Sequence, residues 1–173
     1  MRDFLTAHLR LVSWSRPRWA NLRGRAGKVL PFLRDEKGGL RLALLEKTPS
    51  PKVERGWRLA EKILGKIAAE ANASGARTVV LVVPDRTQVD EALWSDFLAA
   101  QGLDPSAYDR DQPDRRLQEI ASRLGITVVD PLEAQRARAA AGETLFVSGD
   151  PHWNPAGHEI AAQELARALE KLM

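Results

Sequence analysis

The densest group of chemically capable side chains lies near the end of the sequence, in the run Ser148–Glu159. Asp150 and His152 stand two residues apart with a proline between them. A carboxylate at this spacing can reach the imidazole, fix its tautomer and stabilise its charged form, which leaves the other ring nitrogen free as a general base. The same residues also suit a structural role, in which Asp150 caps a turn and His152 is an ordinary surface residue.

The residues after this pair predict how it is positioned. Asn154 is a good N-cap and Pro155 a good first helical residue, so we expect a terminal helix over Pro155–Leu172. Asp150 and His152 then fall in the loop just ahead of that helix. Such loops lie at the rim of the sheet, where open α/β sheets bind ligands.

The middle of the chain alternates helical and strand patterns, which predicts an α/β fold with a parallel sheet flanked by helices. Two apolar runs without alternation, Thr78–Val83 and Ile126–Val129, predict strands covered on both faces. Two strands are few, because sheets of this class have about five. Helices are predicted over Val53–Ala73, Val89–Gln101, Pro113–Leu124 and Leu132–Ala140, a loop over Leu103–Gln112 and a short strand over Thr144–Val147.

The first third of the chain differs from the rest in its composition. Residues 1–66 have a formal charge of +10 and the remaining residues −7, within a net charge of +3. An amphipathic helix is predicted over 3–14, and a β-hairpin over Leu30–Leu45 with Pro31 in an edge arm. We expect one domain, with the basic helix and hairpin in 1–52 and the α/β part in 53–173. The basic residues follow no single helical face, so nucleic-acid binding is not favoured.

Composition excludes several classes of protein. The 173 residues contain no Cys, which removes disulfides, thiolate metal sites and a Cys nucleophile. No apolar run approaches the ~20 residues of a membrane span, and no leader pattern opens the chain, so the sequence leaves the compartment open. No cofactor or metal is predicted, because neither a phosphate-binding glycine loop nor a set of metal ligands at the usual spacing occurs.

The run Asp150–His158, followed by an Ala-rich amphipathic helix, resembles the last sequence block of the SGNH (GDSL-like) hydrolases. The strand Val79–Pro84 and the loop after it are similar to the part ahead of that block. The resemblance implies a three-layer, flavodoxin-like sheet and a Ser-His-Asp triad, with His152 as base and Asp150 as its orienting partner. It also implies that Trp153 and Asn154 shape the substrate rim, and that the substrate is a short-acyl or acetyl ester, such as an acylated sugar.

The sequence departs from this family at the nucleophile. No Gly-Asp-Ser block, oxyanion Gly or Asn block, or G-x-S-x-G elbow is present. The resemblance therefore implies the C-terminal half of a longer ester hydrolase, whose missing strands a preceding half or a second copy would supply. The alternative is a non-catalytic α/β module that self-associates or binds a protein partner through its uncovered sheet edge.

Overall fold

Two short parallel strands form the sheet in the part of the chain that the structure, a computed structural model, describes, which is residues 39–172. Strand β1 covers Val79–Leu81 and strand β2 covers Thr127–Val129, with Val79 opposite Thr127 and Leu81 opposite Val129. Contacts divide the chain into residues 1–41 and 42–173. The sheet and the predicted site residues belong to the second unit.

The described residues contain seven α-helices besides this sheet. None of them is both long and apolar enough to span a bilayer. In chain order they are α1 (Gly39–Leu44), α2 (Pro51–Ala73), α3 (Arg86–Val89), α4 (Glu91–Gln101), α5 (Gln112–Leu124), α6 (Leu132–Ala140) and α7 (Pro155–Glu170), with a 3₁₀ turn over Pro105–Ala107.

The order of helices and strands confirms the predicted α/β class. Helix α2 begins where Ser50 accepts a hydrogen bond from the Val53 N–H at 3.3 Å, and its buried Ala68 packs with Ala121 and Ile126. Helix α5 ends at Gly125, whose φ of 64° lets the chain turn directly into β2. This layer of α2 and α5 covers one face of the sheet.

Helix α1 contradicts the predicted second arm of the hairpin. The residues expected to form a strand up to Leu45 form a helix over Gly39–Leu44. The run contains Leu, Arg and Ala, which favour helix, and it lacks β-branched residues. The predicted first arm and the predicted helix over 3–14 lie outside the described residues.

The helix predicted over Val89–Gln101 is α4, which begins two residues later at Glu91, because Val89 is the last residue of the separate helix α3. Asp90 has an extended backbone (ψ 110°) between α3 and α4, and its side chain accepts the Leu93 N–H at 2.9 Å. Asp85 caps α3 in the same way through the Thr87 N–H. An aspartate that caps the next turn therefore separates the two helices.

The sheet is less covered than the sequence predicts. Val80 and Val128 pack against the layer of α2 and α5. However, Leu81 is 36% exposed and Val83 is 69% exposed, so β1 and the residues after it are not buried on both faces. An apolar run without alternation predicted the strand, but the second covering layer is incomplete over it.

A core cluster beneath the end of the chain supports the predicted site. It joins α3, α6, the segment before α7 and α7 itself. Its buried members are Val89, Leu132, Leu145, Phe146, Trp153, Ile160 and Ala161.

Candidate functional site

The structure brings the predicted pair together. Nδ1 of His152 contacts Oδ1 of Asp150, and the same oxygen accepts the His152 backbone N–H at 2.8 Å. These hydrogen bonds, the backbone one first, lower the pKa of the Asp150 carboxyl below its usual value. A carboxylate on Nδ1 fixes the tautomer with the proton on that nitrogen, which leaves Nε2 without one.

Solvent has access to the pair. The His152 side chain is 83% exposed and the Asp150 side chain is 45% exposed. Nε2 can therefore meet a reactant without movement of the main chain. The geometry provides an oriented imidazole at the surface.

A tight hairpin presents the pair. Phe146 and Trp153 form an antiparallel bridge, and the Val147 N–H donates to the His152 carbonyl at 2.9 Å. The turn between them closes with the Asp150 N–H on the Val147 carbonyl at 3.1 Å, and Gly149 has a φ of 72°. A side chain at that φ would be strained, which accounts for glycine there. Only this bridge remains of the predicted strand over 144–147.

Trp153 anchors the hairpin to the sheet. Its indole is buried in the core cluster, and Nε1 donates to the Pro84 carbonyl at 3.3 Å. Pro84 follows β1, so this hydrogen bond places the hairpin at the carboxyl edge of the strands, as the sequence predicts. Trp153 is 8% exposed, and its predicted contact with a substrate stays a prediction.

Asn154 is the N-cap of α7, and Pro155 is its first residue, as predicted. The Asn154 side chain accepts the Gly157 N–H at 3.0 Å and donates to the Thr144 carbonyl at 2.6 Å. Both ends of the amide are therefore used within the protein. Its predicted place on the substrate rim is untested.

Gly157 lets α7 approach the hairpin closely. A Cβ on this residue would lie 2.5 Å from the Leu145 carbonyl oxygen and 3.0 Å from Cβ of Trp153. One turn into the helix, the exposed His158 ring stands edge-on to the Trp153 indole, with 5.5 Å between ring centres. His158 thus contacts the anchor and not the Asp150–His152 pair.

No hydrogen bond joins a serine hydroxyl to His152 within residues 39–172. Ser50 caps α2, the Ser74 hydroxyl donates to the Glu70 carbonyl, and the Ser106 hydroxyl donates to Asp104. The same residues hold no group of three or more carboxylate or imidazole side chains placed to bind a metal ion. The described part therefore contains the Asp150–His152 pair without a serine hydroxyl hydrogen-bonded to it.

A cleft that the sequence does not predict lies next to the hairpin. It has a volume of about 390 Å³ and lies between α3, the end of α6 and the segment 142–146. The Arg86 guanidinium stands 6.0 Å from the centre of the Phe146 ring in its wall. Asp150 and His152 do not line it. The position of Arg86 just after a strand at the carboxyl edge was the signal that could have indicated it.

The fold and the site define an α/β protein with an aspartate–histidine pair at the carboxyl edge of a parallel sheet. A family model described as "SGNH hydrolase-like domain, acetyltransferase AlgX" matches residues 45–173. The chain belongs to this SGNH hydrolase-like family, as its last sequence block indicated. The comparisons with curated proteins and with solved structures found no match.

Proposed function

We propose that the protein acts on carboxylic esters of short acyl groups, with His152 as general base and Asp150 as its orienting partner. The observation that carries the proposal is the contact between Asp150 and Nδ1 of His152, with the imidazole open to solvent. An imidazole held this way can accept a proton at Nε2 and return it to a leaving alcohol. The membership of an SGNH hydrolase-like family supports this reaction class.

The proposed step requires a hydroxyl group that the described residues do not pair with His152. Nε2 takes the hydroxyl proton, the oxygen attacks the acyl carbon, and the alcohol leaves with the proton that His152 returns. We propose that a serine outside residues 39–172 supplies the hydroxyl. The matched family's description names an acetyltransferase. Transfer and hydrolysis use the same base and differ in whether an alcohol or water takes the acyl group.

The test is the hydrolysis of p-nitrophenyl acetate by the full chain and by His152→Gln. We expect the variant to lose at least about a hundredfold in kcat/KM, the usual scale of general-base catalysis. His158→Gln is the matched control, since His158 is also an exposed histidine but has no contact with Asp150. Ester hydrolysis by the native chain above the uncatalysed rate that His152→Gln leaves unchanged would refute the assignment of the base.

A second candidate, a module that associates through its sheet, is favoured by exposed apolar side chains. Leu81 and Val83 are exposed beside β1. Three further exposed residues follow each other at intervals of four along α2: Leu59, Ile63 and Ile67. Exposed aliphatic side chains that follow one strand or one helix face are typical of an interface.

Sedimentation velocity over a range of concentrations tests this second candidate. We expect a dimer that Val83→Asp converts to a monomer. Val147→Asp is the matched control, because Val147 is also exposed but lies in the hairpin and not beside β1. A native chain that stays monomeric at every concentration would exclude self-association.

A further inference from the structure

The side chain of Gln88 lies at the centre of a buried hydrogen-bond network behind the candidate site. Its Oε1 accepts the Asp85 N–H at 2.9 Å. Its Nε2 donates to the Arg110 carbonyl at 3.0 Å and to Oδ2 of Asp114 at 2.5 Å. Because the Asp85 N–H can only donate, it fixes which end of the amide faces Asp114. Gln88 therefore ties the turn after β1 to α5 and to the loop before it.

This network leads to the hairpin through Pro84. Gln88 accepts the backbone N–H of Asp85. This N–H and the Pro84 carbonyl belong to the same peptide group, because Pro84 and Asp85 are adjacent in the chain. That carbonyl accepts the Trp153 indole N–H, and Trp153 follows His152. The peptide group between Pro84 and Asp85 thus donates its N–H to Gln88 and accepts the Trp153 indole N–H at its carbonyl, so it connects Gln88 to the hairpin.

Asp114 is a carboxyl group in an unfavourable environment. It is 8% exposed, and burial, followed by repulsion from Asp130, raises its pKa to about 6. The charged groups that face it are Asp130 at the end of β2, Asp111 before α5 and Arg136 on α6; from α3 it meets the uncharged Gln88. Arg136 also pairs with Asp111, which reduces the positive charge left for Asp114.

We propose that Gln88 and Asp114 are positioning residues for the Asp150–His152 hairpin, and that the protonation of Asp114 is transmitted to it through the peptide group of Pro84 and Asp85. An ionised Asp114 accepts a charge-assisted hydrogen bond from Gln88, roughly twice as strong as one between neutral groups. Protonation of Asp114 weakens this hydrogen bond and so loosens the hold of Gln88 on the Asp85 N–H. The indole N–H of Trp153 donates to the carbonyl of the same peptide group, so its hydrogen bond changes when Asp114 is protonated. Ester hydrolysis is not required for this coupling.

The test follows the indole N–H resonance of Trp153 by NMR between pH 5 and pH 7.5 in the full chain. His152 and His158 lie beside Trp153, so the background is the double variant His152→Gln/His158→Gln, in which neither imidazole can move the Trp153 resonance. In that background we expect the Trp153 resonance to shift with a midpoint near pH 6. Trp153→Phe assigns the resonance.

Asp114→Asn keeps the oxygen that accepts from Gln88 but cannot titrate in this range. In it, the Trp153 resonance should stay at one position across the range. Gln88→Met, which removes the link while Asp114 still titrates, should abolish the midpoint as well. Trp57 and Trp94 lie outside the path, and their unchanged indole resonances show that each variant is folded.

Two results would overturn the proposal. One is a flat Trp153 resonance in the double-histidine background, which would show that Asp114 does not communicate with the hairpin. The other is a midpoint near pH 6 that persists in Asp114→Asn or in Gln88→Met, which would assign the titration to another group or path. Neither measurement uses a substrate, so the result stands apart from the test of ester hydrolysis.

Discussion

The hairpin with Asp150 and His152 and the network around Gln88 and Asp114 meet at Pro84 and Asp85 but are built in opposite ways. The hairpin presents its ionisable groups to solvent and holds them through contacts between near neighbours. The network buries its carboxyl group and holds it through residues 22 to 26 positions apart. The exposed region therefore presents ionisable groups to solvent, while the buried region hydrogen-bonds the turn that accepts the Trp153 indole N–H.

The largest expected effect comes from separating the hairpin from α7. Gly157→Ala would place a Cβ 2.5 Å from the Leu145 carbonyl oxygen, so the helix or the hairpin must move. We expect the free energy of unfolding to fall by about 2–4 kcal/mol. Gly56→Ala is the control, since nothing beyond its chain neighbours and the backbone of its own helix lies within 4 Å of its added Cβ, and alanine favours the helix by about 0.5–1 kcal/mol. Urea denaturation measures the free energy of unfolding of both variants and of the native chain. A Gly157→Ala variant as stable as the native chain would contradict the close approach.

A smaller effect should follow from cutting the connection between the two regions. Trp153→Phe keeps an aromatic ring in the core but removes the hydrogen bond to the Pro84 carbonyl. We expect the free energy of unfolding to fall by about 1–2 kcal/mol more than it does in Trp94→Phe, which replaces a similarly buried indole in another core cluster. The two variants are compared by urea denaturation. If Trp153→Phe is at least as stable as Trp94→Phe, the hydrogen bond from Trp153 to the Pro84 carbonyl does not stabilise the fold.

Removing the buried charge should stabilise the protein. Because the pKa of Asp114 is raised in the folded state, its ionisation costs stability as the pH rises through about 6. The free energy of unfolding of Asp114→Asn should therefore exceed that of the native chain by about 1–2 kcal/mol at pH 7.5. The difference should disappear below about pH 4, where the carboxyl is protonated in both states. A gain that is the same at both pH values would point to packing and not to charge.

Asp150→Asn, the same kind of substitution in the hairpin, should change the stability in the opposite direction and by the smallest amount. The pKa of Asp150 is lowered by its hydrogen bonds, so its contribution to stability is present at neutral pH and is lost as the pH falls through the lowered value. Asp150→Asn should melt slightly below the native chain at pH 7 and together with it at strongly acid pH. Thermal denaturation at the two pH values checks this, and a more stable Asp150→Asn at pH 7 would remove the contrast with Asp114.

Local signals in the sequence account for what could be predicted. Asn154 followed by Pro155 marked the start of α7, and the apolar period over 53–73 marked α2 as a helix, because both signals lie within one or two helical turns. The same period did not mark the buried face of α2, since Ala68 is buried but Ile63 and Ile67 are exposed. The contact between Asp150 and His152 is equally local. The contact and its placement before a helix could therefore be predicted from the sequence, while its role as a base stays a prediction.

What could not be predicted depends on residues far apart in the chain. The hydrogen bonds of Gln88 to Arg110 and Asp114 and that of Trp153 to Pro84 connect different segments. The sequence therefore gave no reason to expect a raised pKa at Asp114. The helix at Gly39–Leu44 was missed because a short apolar run suits a strand and a helix alike.

The hydrogen bond from Trp153 to Pro84 spans 69 residues, whereas the pair that we propose to act as base spans two. In the unfolded chain Asp150 and His152 are already neighbours, so their meeting costs little conformational entropy. Joining Trp153 to Pro84 closes a long loop, at a cost that grows only with the logarithm of its length. We therefore expect an isolated peptide of residues 144–154 to sample the Asp150–His152 contact, while the placement of that contact beside the sheet requires the folded domain.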